Sequence, residues 1–246
     1  GMDGNDDVRA AYGNDTLDGG AGNDTLWGAT GTNLLLGGDG DDKLYGQGNN
    51  DTLAGGAGAD LLAGGAGADL LDGGTGVDTA DYSASTAAVQ VNLDLPTAQS
   101  GGDAEGDVLI GIENVTGSAL GDSLAGNAAH NVLLGLDGAD TLDGGNGHDT
   151  LYGGSGNDYL FGGITSDYDH LDGGIGDDTL DGGGGRDVLD GGDGNDSLYG
   201  GDGRFFDNMN GGSGNDTLDA GWGNDLMDGG DGNDSLYGGE GVWNDN

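Results

Sequence analysis

The chain of 246 residues carries 46 acidic and only 4 basic side chains, a formal net charge of −42, together with 63 glycines, one proline and no cysteine. This charge repels nucleic acid and anionic lipid and leaves cations as the expected partners. The absence of cysteine excludes disulfides and thiolate metal sites, and no apolar run is long enough to predict a membrane-spanning segment. Unless the charge is neutralised, such a composition predicts disorder.

Residues 1–81 consist of nine consecutive units of nine residues. The unit reads Gly-Gly-x-Gly-x-Asp-x-apolar-x, and Gly19–Trp27 is a clean copy. The sixth positions of these units are Asp6, Asp15, Asp24, Asn33, Asp42, Asp51, Asp60, Asp69 and Asp78. A short exact period indicates a solenoid in which each unit packs against its neighbours.

Residues 82–116 depart from this period. The stretch Val89–Leu93 alternates like a half-buried strand, and Val108–Val115 is a second apolar segment. Because 35 residues bury too little core to fold alone, we expect irregular connecting turns of the same solenoid rather than a separate domain.

The period returns at residue 117 and continues through 246 as fourteen further units. Two of them, Gly162–Asp172 and Gly200–Asn210, have eleven residues, and the last unit fits the same longer form. The sixth positions of this block are Asp122, Asn131, Asp140, Asp149, Asp158, Asp169, Asp178, Asp187, Asp196, Asp207, Asp216, Asp225, Asp234 and Asp245.

The residue types of one unit predict an all-β fold, a right-handed parallel β-roll (β-solenoid) with two nonapeptides per turn. Glycines allow a tight turn with positive φ angles. The last three residues of the unit form a short strand whose eighth side chain points inward, as at Leu26, Leu44 and Leu236. Acids 18 residues apart, such as Asp24 and Asp42, then stack at the strand spacing of about 4.8 Å.

Columns of carboxylates at this spacing repel one another unless cations bind between them. Oxygen donors without His or Cys favour Ca²⁺, and the repeats provide up to 19 gaps between stacked turns. Since one apolar residue per unit buries little surface, we expect folding to require many Ca²⁺ ions, most weakly bound where Asn33 or Asn131 replaces an acid. The predicted metal ligands are Asp6, Asp15, Asp24, Asp42, Asp51, Asp60, Asp69, Asp78, Asp122, Asp140, Asp149, Asp158, Asp169, Asp178, Asp187, Asp196, Asp207, Asp216, Asp225 and Asp234.

The unit Gly191–Tyr199 resembles the nonapeptide of the repeats-in-toxin (RTX) family. The resemblance extends over both repeat blocks. It implies a β-roll with Ca²⁺ bound in the turns, a bacterial protein that is secreted by a type I machine, and folding outside the cell or at its surface. Support of secretion, rigidity or display is the function that this resemblance implies.

The long units bring Tyr168, Phe205, Phe206 and Trp243 to one edge of the predicted coil, and Trp222 lies on that edge between them. They suggest an adhesion or glycan-binding module whose partner is a polysaccharide or a cell-surface component. Local packing of these side chains is the simpler interpretation. No catalytic motif is present, so we expect no enzymatic activity, and an accessory domain of a secreted enzyme is a further alternative.

Overall fold

A computed structural model describes residues 3–201 and 203–239, which divide between two compact units, Gly1–Ser118 and Ala119–Asn246. Strands and turns make up nearly all of the described chain, and the one helical element is a 3-10 turn at Gly102–Ala104. No helix in the described ranges is long and apolar enough to cross a membrane.

The first unit contains two sheets of parallel strands, which alternate along the chain. One sheet has the order β1-β3-β5-β7-β9-β12 and the other β2-β4-β6-β8-β11. The strands of this unit are β1 (Asp7–Arg9), β2 (Thr16–Ala21), β3 (Thr25–Trp27), β4 (Leu34–Asp39), β5 (Lys43–Gly48), β6 (Thr52–Gly58), β7 (Leu61–Ala66), β8 (Leu70–Gly76), β9 (Thr79–Asp81), β10 (Gln90–Asn92), β11 (Val108–Ile110) and β12 (Asn114–Thr116).

The second unit has the same construction. One sheet has the order β14-β16-β18-β20-β22-β24, with β25 also paired to β22, and the other β13-β15-β17-β19-β21-β23-β26. The strands are β13 (Ser123–Ala125), β14 (Val132–Asp137), β15 (Thr141–Asp143), β16 (Thr150–Ser155), β17 (Tyr159–Phe161), β18 (His170–Ile175), β19 (Thr179–Asp181), β20 (Val188–Asp193), β21 (Ser197–Tyr199), β22 (Asn208–Gly214), β23 (Thr217–Asp219), β24 (Leu226–Asp228), β25 (Asp231–Gly232) and β26 (Ser235–Tyr237).

The strand register confirms the predicted solenoid with two nonapeptides per turn. In the first unit Leu26 pairs with Leu44, which is 18 residues further along the chain. Where an eleven-residue unit intervenes, Thr150 pairs with His170, so the two extra residues are accommodated in the turn and the strand register is kept.

The predicted strand length of three residues is right for half of the nonapeptides that the structure describes. Strand β3 has the expected three residues, whereas β2 has six and continues through the glycine pair of the next unit. The ladder continues there because Gly20 pairs with Gly38 and Ala21 with Asp39.

The interior of each compact unit contains stacked leucines, and beside them lie stacked acids. Leu26 and Leu44 are fully buried, whereas Leu236, predicted to point inward, is 43% exposed because it lies on the last strand of its sheet. Side chains two residues apart on a strand share a face, so the sixth-position acid points to the same side as the leucine. Asp24 and Asp42 are accordingly only 1% exposed.

The irregular stretch belongs to the first unit. Strand β11 pairs with β8, placing Val108 beside Leu70, and β12 pairs with β9, placing Val115 beside Ala80. The predicted strand at Val89–Leu93 appears as β10, and Val89 is buried.

Candidate metal centres

The predicted ligands lie in four columns, two in each unit, and successive members of a column come from successive turns. Columns 1 and 2 are Asp6-Asp24-Asp42-Asp60-Asp78 and Asp15-Asn33-Asp51-Asp69. Columns 3 and 4 are Asp122-Asp140-Asp158-Asp178-Asp196-Asp216-Asp234 and Asn131-Asp149-Asp169-Asp187-Asp207-Asp225. Asp245 lies outside the described residues.

One oxygen of each carboxylate is engaged by the preceding turn. The backbone N–H of Asp24 donates to Oδ1 of Asp42 at 2.7 Å, and the same contact recurs along all four columns. The eleven-residue units do not interrupt it, since the N–H of Asp149 donates to Oδ1 of Asp169 at 2.8 Å. This hydrogen bond orients each carboxylate and leaves its second oxygen directed elsewhere.

The second oxygen, Oδ2, is buried and accepts no hydrogen bond in most members of the columns. A buried acceptor without a partner costs about 1–3 kcal/mol, and more when it is charged, so these atoms need a proton or a cation. The residues concerned include Asp24, Asp42, Asp51, Asp60, Asp69, Asp78, Asp140, Asp149, Asp158, Asp178, Asp187, Asp196 and Asp216.

These oxygens pack closely against the first glycine of each nonapeptide. A β-carbon added to Gly173 would lie 2.5 Å from Oδ2 of Asp178 and 2.7 Å from the carbonyl oxygen of Gly191 in the next turn. The two oxygens therefore approach each other on the same side of Gly173, where any side chain would clash with them. The expectation that the glycines serve positive φ angles holds for the second and fourth positions, as at Gly174 with φ of 100°.

This donor set fits Ca²⁺. Among residues 3–201 and 203–239, no three His, Cys, Asp or Glu side chains gather closely enough to hold an ion by themselves. An ion would therefore need main-chain carbonyl oxygens, such as that of Gly191, in addition to the carboxylates. Mixed carboxylate and carbonyl oxygens are characteristic of Ca²⁺ sites, whereas Mg²⁺ retains several waters and octahedral geometry.

The electrostatics of the columns also favour a bound cation. Burial raises the pKa of Asp140 to about 7, and the charge of Asp158 adds to this increase, while a hydrogen bond from the N–H of Asp122 opposes it. Burial raises the pKa of Asp187 to about 8, with the charge of Asp169 adding to the increase. Bringing a cation to these carboxylates removes both causes, since it replaces lost hydration and cancels the repulsion between neighbours.

The Asn33 amide replaces the second carboxylate oxygen by a hydrogen-bond donor. Its Nδ2 donates to Oδ1 of Asp51 and to the carbonyl oxygen of Gly31, both at 3.1 Å. An N–H thus lies where an Asp would place an oxygen without a partner. This geometry supports the prediction that gaps containing Asn33 bind cations weakly.

Sequence reasoning missed two acids, Asp107 and Glu113, which extend the columns of the first unit. The N–H of Asp69 donates to Oδ1 of Asp107 at 2.7 Å, and that of Asp78 donates to Oε2 of Glu113 at 2.9 Å. The signal was present, because both acids begin the pattern acid-x-apolar-x-Gly that ends a nonapeptide. The repeat was not evident because the glycine-rich beginning of each unit is absent.

Two aromatic residues of the predicted edge, Phe206 and Trp222, lie close to arginine side chains. The guanidinium of Arg186 lies 5.0 Å from the ring centre of Phe206, and that of Arg204 lies 5.9 Å from the ring centre of Trp222. These are cation–π contacts within the edge itself. Trp243 lies outside the described residues.

The other two edge aromatics have different surroundings. Tyr168 lies beside His148, whose Nδ1 accepts a hydrogen bond from the Tyr168 N–H at 2.6 Å. Phe205 lines a groove of about 600 Å³ in the second unit together with Phe161 and Tyr199. Of the five predicted residues, Phe205 therefore lines this groove, and sequence reasoning had not singled out Phe161 or Tyr199.

Comparison with known proteins agrees with this geometry. The family model for the RTX calcium-binding nonapeptide repeat matches residues 1–35, 27–62, 45–80, 116–151, 134–169, 172–204, 205–236 and 225–242. No curated protein matches the chain. The matches cover most of the sequence and include every column member, while the stretch containing Asp107 and Glu113 lies outside them. The chain therefore belongs to the family of RTX calcium-binding nonapeptide repeat proteins.

Proposed function

We propose that this chain is a non-catalytic β-roll that folds when Ca²⁺ binds along its four columns and that serves a secreted bacterial protein outside the cell. The observation that carries the proposal is the series of buried Oδ2 atoms without hydrogen-bond partners, nearly all of which lie close to a main-chain carbonyl oxygen of the next turn. A cation could bind both oxygens of such a pair, and no side-chain or backbone donor of the described residues hydrogen-bonds to these Oδ2 atoms.

The carboxylates connect folding to the calcium concentration. In the unfolded chain each carboxylate is hydrated and far from its neighbours, whereas the fold buries them in columns. Ligands that bind the folded chain and not the unfolded chain stabilise the fold in proportion to the logarithm of their concentration. We therefore expect an extended chain at the low Ca²⁺ of the cytosol, suited to export, and a rigid solenoid at the higher extracellular Ca²⁺.

A calcium titration followed by far-ultraviolet circular dichroism tests this function. Starting from chelated protein, we expect a cooperative gain of β structure with Ca²⁺ and none with Mg²⁺ at the same concentration. Asp140→Asn should shift the midpoint to higher Ca²⁺, because it alters a buried ligand. Asp193→Asn removes the same charge from an exposed position of the same unit and should leave the midpoint unchanged. Full β structure in excess chelator would contradict the proposal.

A second candidate function, recognition of a neutral polysaccharide, is supported by the groove in the second unit. Its aromatic residues Phe161, Tyr199 and Phe205 can stack against the apolar faces of sugar rings. The carboxylates of Asp181 and Asp219 line the same groove as acceptors for sugar hydroxyls.

The shape of this groove follows from the repeat lengths. Both eleven-residue repeats, 162–172 and 200–210, supply groove residues. The nonapeptide 182–190, which lies one turn from each of them, begins with four glycines, Gly182–Gly185. The groove carboxylates are also held in place, since the N–H of Gly183 donates to Oδ1 of Asp181 at 3.0 Å. An absence of side chains along the floor leaves room for a chain of sugars.

Isothermal titration calorimetry with soluble neutral oligosaccharides, at saturating Ca²⁺, tests the second candidate. Tyr199→Ala and Phe205→Ala should each reduce the affinity at least about tenfold, the loss expected when a stacking contact is removed. Tyr152→Ala, which removes an exposed tyrosine outside the groove, should have no effect. Equal affinity of all three variants, or no binding by the unaltered protein, would contradict this function.

A further inference from the structure

The irregular stretch of the first unit contains an acid that stands in a column although it lies outside the recognised repeats. Glu113 follows Asp78 in column 1, and Oε2 of Glu113 accepts the N–H of Asp78 at 2.9 Å. The next residues complete the pattern, because Asn114 and Val115 pair with Thr79 and Ala80 in the strand ladder. Glu113 is therefore the structural equivalent of a sixth-position Asp.

The space between Asp78 and Glu113 has the features of the repeat sites. Asp78 is completely buried, and its Oδ2 has no hydrogen-bond partner. A β-carbon added to Gly73 would lie 2.6 Å from this oxygen and would also clash with the carbonyl oxygen of Gly111. A buried carboxylate oxygen and a carbonyl oxygen thus approach each other beside Gly73, and the Glu113 carboxylate of the next turn contacts the N–H of the same Asp78.

Column 2 of the same unit ends differently. Asp107 is fully buried, but its Oδ2 accepts a hydrogen bond from the Tyr82 hydroxyl at 3.1 Å. A protein donor occupies the position that a cation would otherwise take. Tyr82 is itself 2% exposed, so this end of the column is closed by side chains of the irregular stretch.

We propose that Asp78, Gly111 and Glu113 form an additional Ca²⁺ site, which the nonapeptide pattern does not include, and that column 2 closes at Asp107 without an ion. Glutamate suits this place because its additional methylene reaches the column from a backbone that enters through Gly111 and Ile112 instead of through a glycine-rich turn. The inference rests on the proposed function, since it assumes that the repeat columns themselves bind Ca²⁺.

Counting bound Ca²⁺ per chain by native mass spectrometry tests the site. Glu113→Gln keeps an acceptor for the Asp78 N–H but removes the charge, and we expect one ion fewer than in the unaltered protein. Asp78→Asn should also lose one ion, and its fold should persist because Asn33 occupies the equivalent position naturally. Glu105→Gln is the matched control, since Glu105 lies in the same stretch and accepts only the exposed N–H of Gly101 among the described contacts.

The outcomes separate this inference from the proposed function. An unaltered number of ions in folded Glu113→Gln or in Asp78→Asn, with many ions bound by the unaltered protein, would overturn the additional site alone. Absence of Ca²⁺ binding by the unaltered protein would overturn the proposed function and this site with it. Should Glu113→Gln fail to fold, which circular dichroism would reveal, the ion count of Asp78→Asn decides.

Discussion

The two units keep the same ladder of acids while they depart from the repeat in different ways. The second unit lengthens two turns by two residues, and the Asp149 N–H still reaches Asp169. The first unit inserts a much longer excursion, and the Asp69 N–H still reaches Asp107, 38 residues away. The comparison shows that the turns tolerate extra residues as long as an acid returns to the column.

The units also differ in the side-chain hydrogen-bond donors that their columns contain. In the first unit an amide, that of Asn33, and a hydroxyl, that of Tyr82, supply hydrogen-bond donors inside column 2. In the second unit Asp140, Asp158 and Asp178 form an uninterrupted series whose Oδ2 atoms have no partner. We infer that column 2 of the first unit depends less on bound cations than the columns of the second unit.

Chelation of Ca²⁺ should have the largest effect and should separate the two units. We expect the second unit to lose amide protection at a lower chelator concentration than the strands around Tyr82 and Asp107, where side-chain donors replace ions. Hydrogen–deuterium exchange with mass spectrometry, at increasing chelator, measures this order. Simultaneous loss of protection in both units would show that the donors of column 2 do not matter.

Acidification should partly restore the chelated fold. Because burial raises the pKa of the column acids above the usual 3.8, the folded chain binds more protons than the unfolded chain. This contribution to stability is complete below pH of about 4 and is lost as the pH rises through the folded pKa values. Those values are about 6 for Asp60 and Asp69 in the first unit and about 8 for Asp187 in the second.

Circular dichroism of chelated protein between pH 8 and pH 4 measures this effect. We expect β structure to increase as the pH falls. In hydrogen–deuterium exchange, amide protection should begin to increase at higher pH around Asp187 than around Asp60, because the pKa of Asp187 is higher. Exposed carboxylates such as Asp7 and Asp177 cannot produce the increase, since hydrogen bonds lower their pKa in the folded chain and their protonation opposes folding. A β signal independent of pH in chelator would contradict the assignment of these acids as buried and unpaired.

A methyl group added beside one column carboxylate should destabilise the second unit. In Gly173→Ala the new methyl group would overlap Oδ2 of Asp178 and the carbonyl oxygen of Gly191. We expect the free energy of unfolding in Ca²⁺ to fall by about 2–4 kcal/mol, from overpacking and a weakened ion site. Gly48→Ala is the control, because its β-carbon would meet nothing within 4 Å. Urea denaturation of both variants measures the difference, and equal stability would count against the site.

Removal of the Tyr82 hydroxyl should have a smaller and local effect. Tyr82→Phe leaves Oδ2 of Asp107 without its donor, and a buried acceptor without a partner costs about 1–3 kcal/mol. Tyr12→Phe removes a hydroxyl from a side chain that is 89% exposed and should be neutral. Thermal denaturation in Ca²⁺ measures both changes. Unchanged stability of Tyr82→Phe would mean that this hydroxyl does not close column 2.

Much of the fold and of the candidate site could be predicted from the repeat. A period of nine with one apolar residue places Leu26 and Leu44 in adjacent turns, and the same arithmetic stacks Asp24 on Asp42. The prediction was incomplete where the period is lost. Asp107 and Glu113 were missed, and only the segment Val108–Val115 was singled out, because a four-residue fragment of the repeat does not specify which turn it joins.

The sequence by itself determined the parallel solenoid, the two repeats per turn and the identity of the acids that stack, because each of these follows from local periodicity and strand alternation. Only the tertiary structure decided which oxygen of each acid is engaged by the preceding turn, that the first glycine provides space for the second oxygen, and that Tyr82 meets Asp107. These contacts join residues from different turns, and the distances between turns are set by strand pairing, which no single repeat contains.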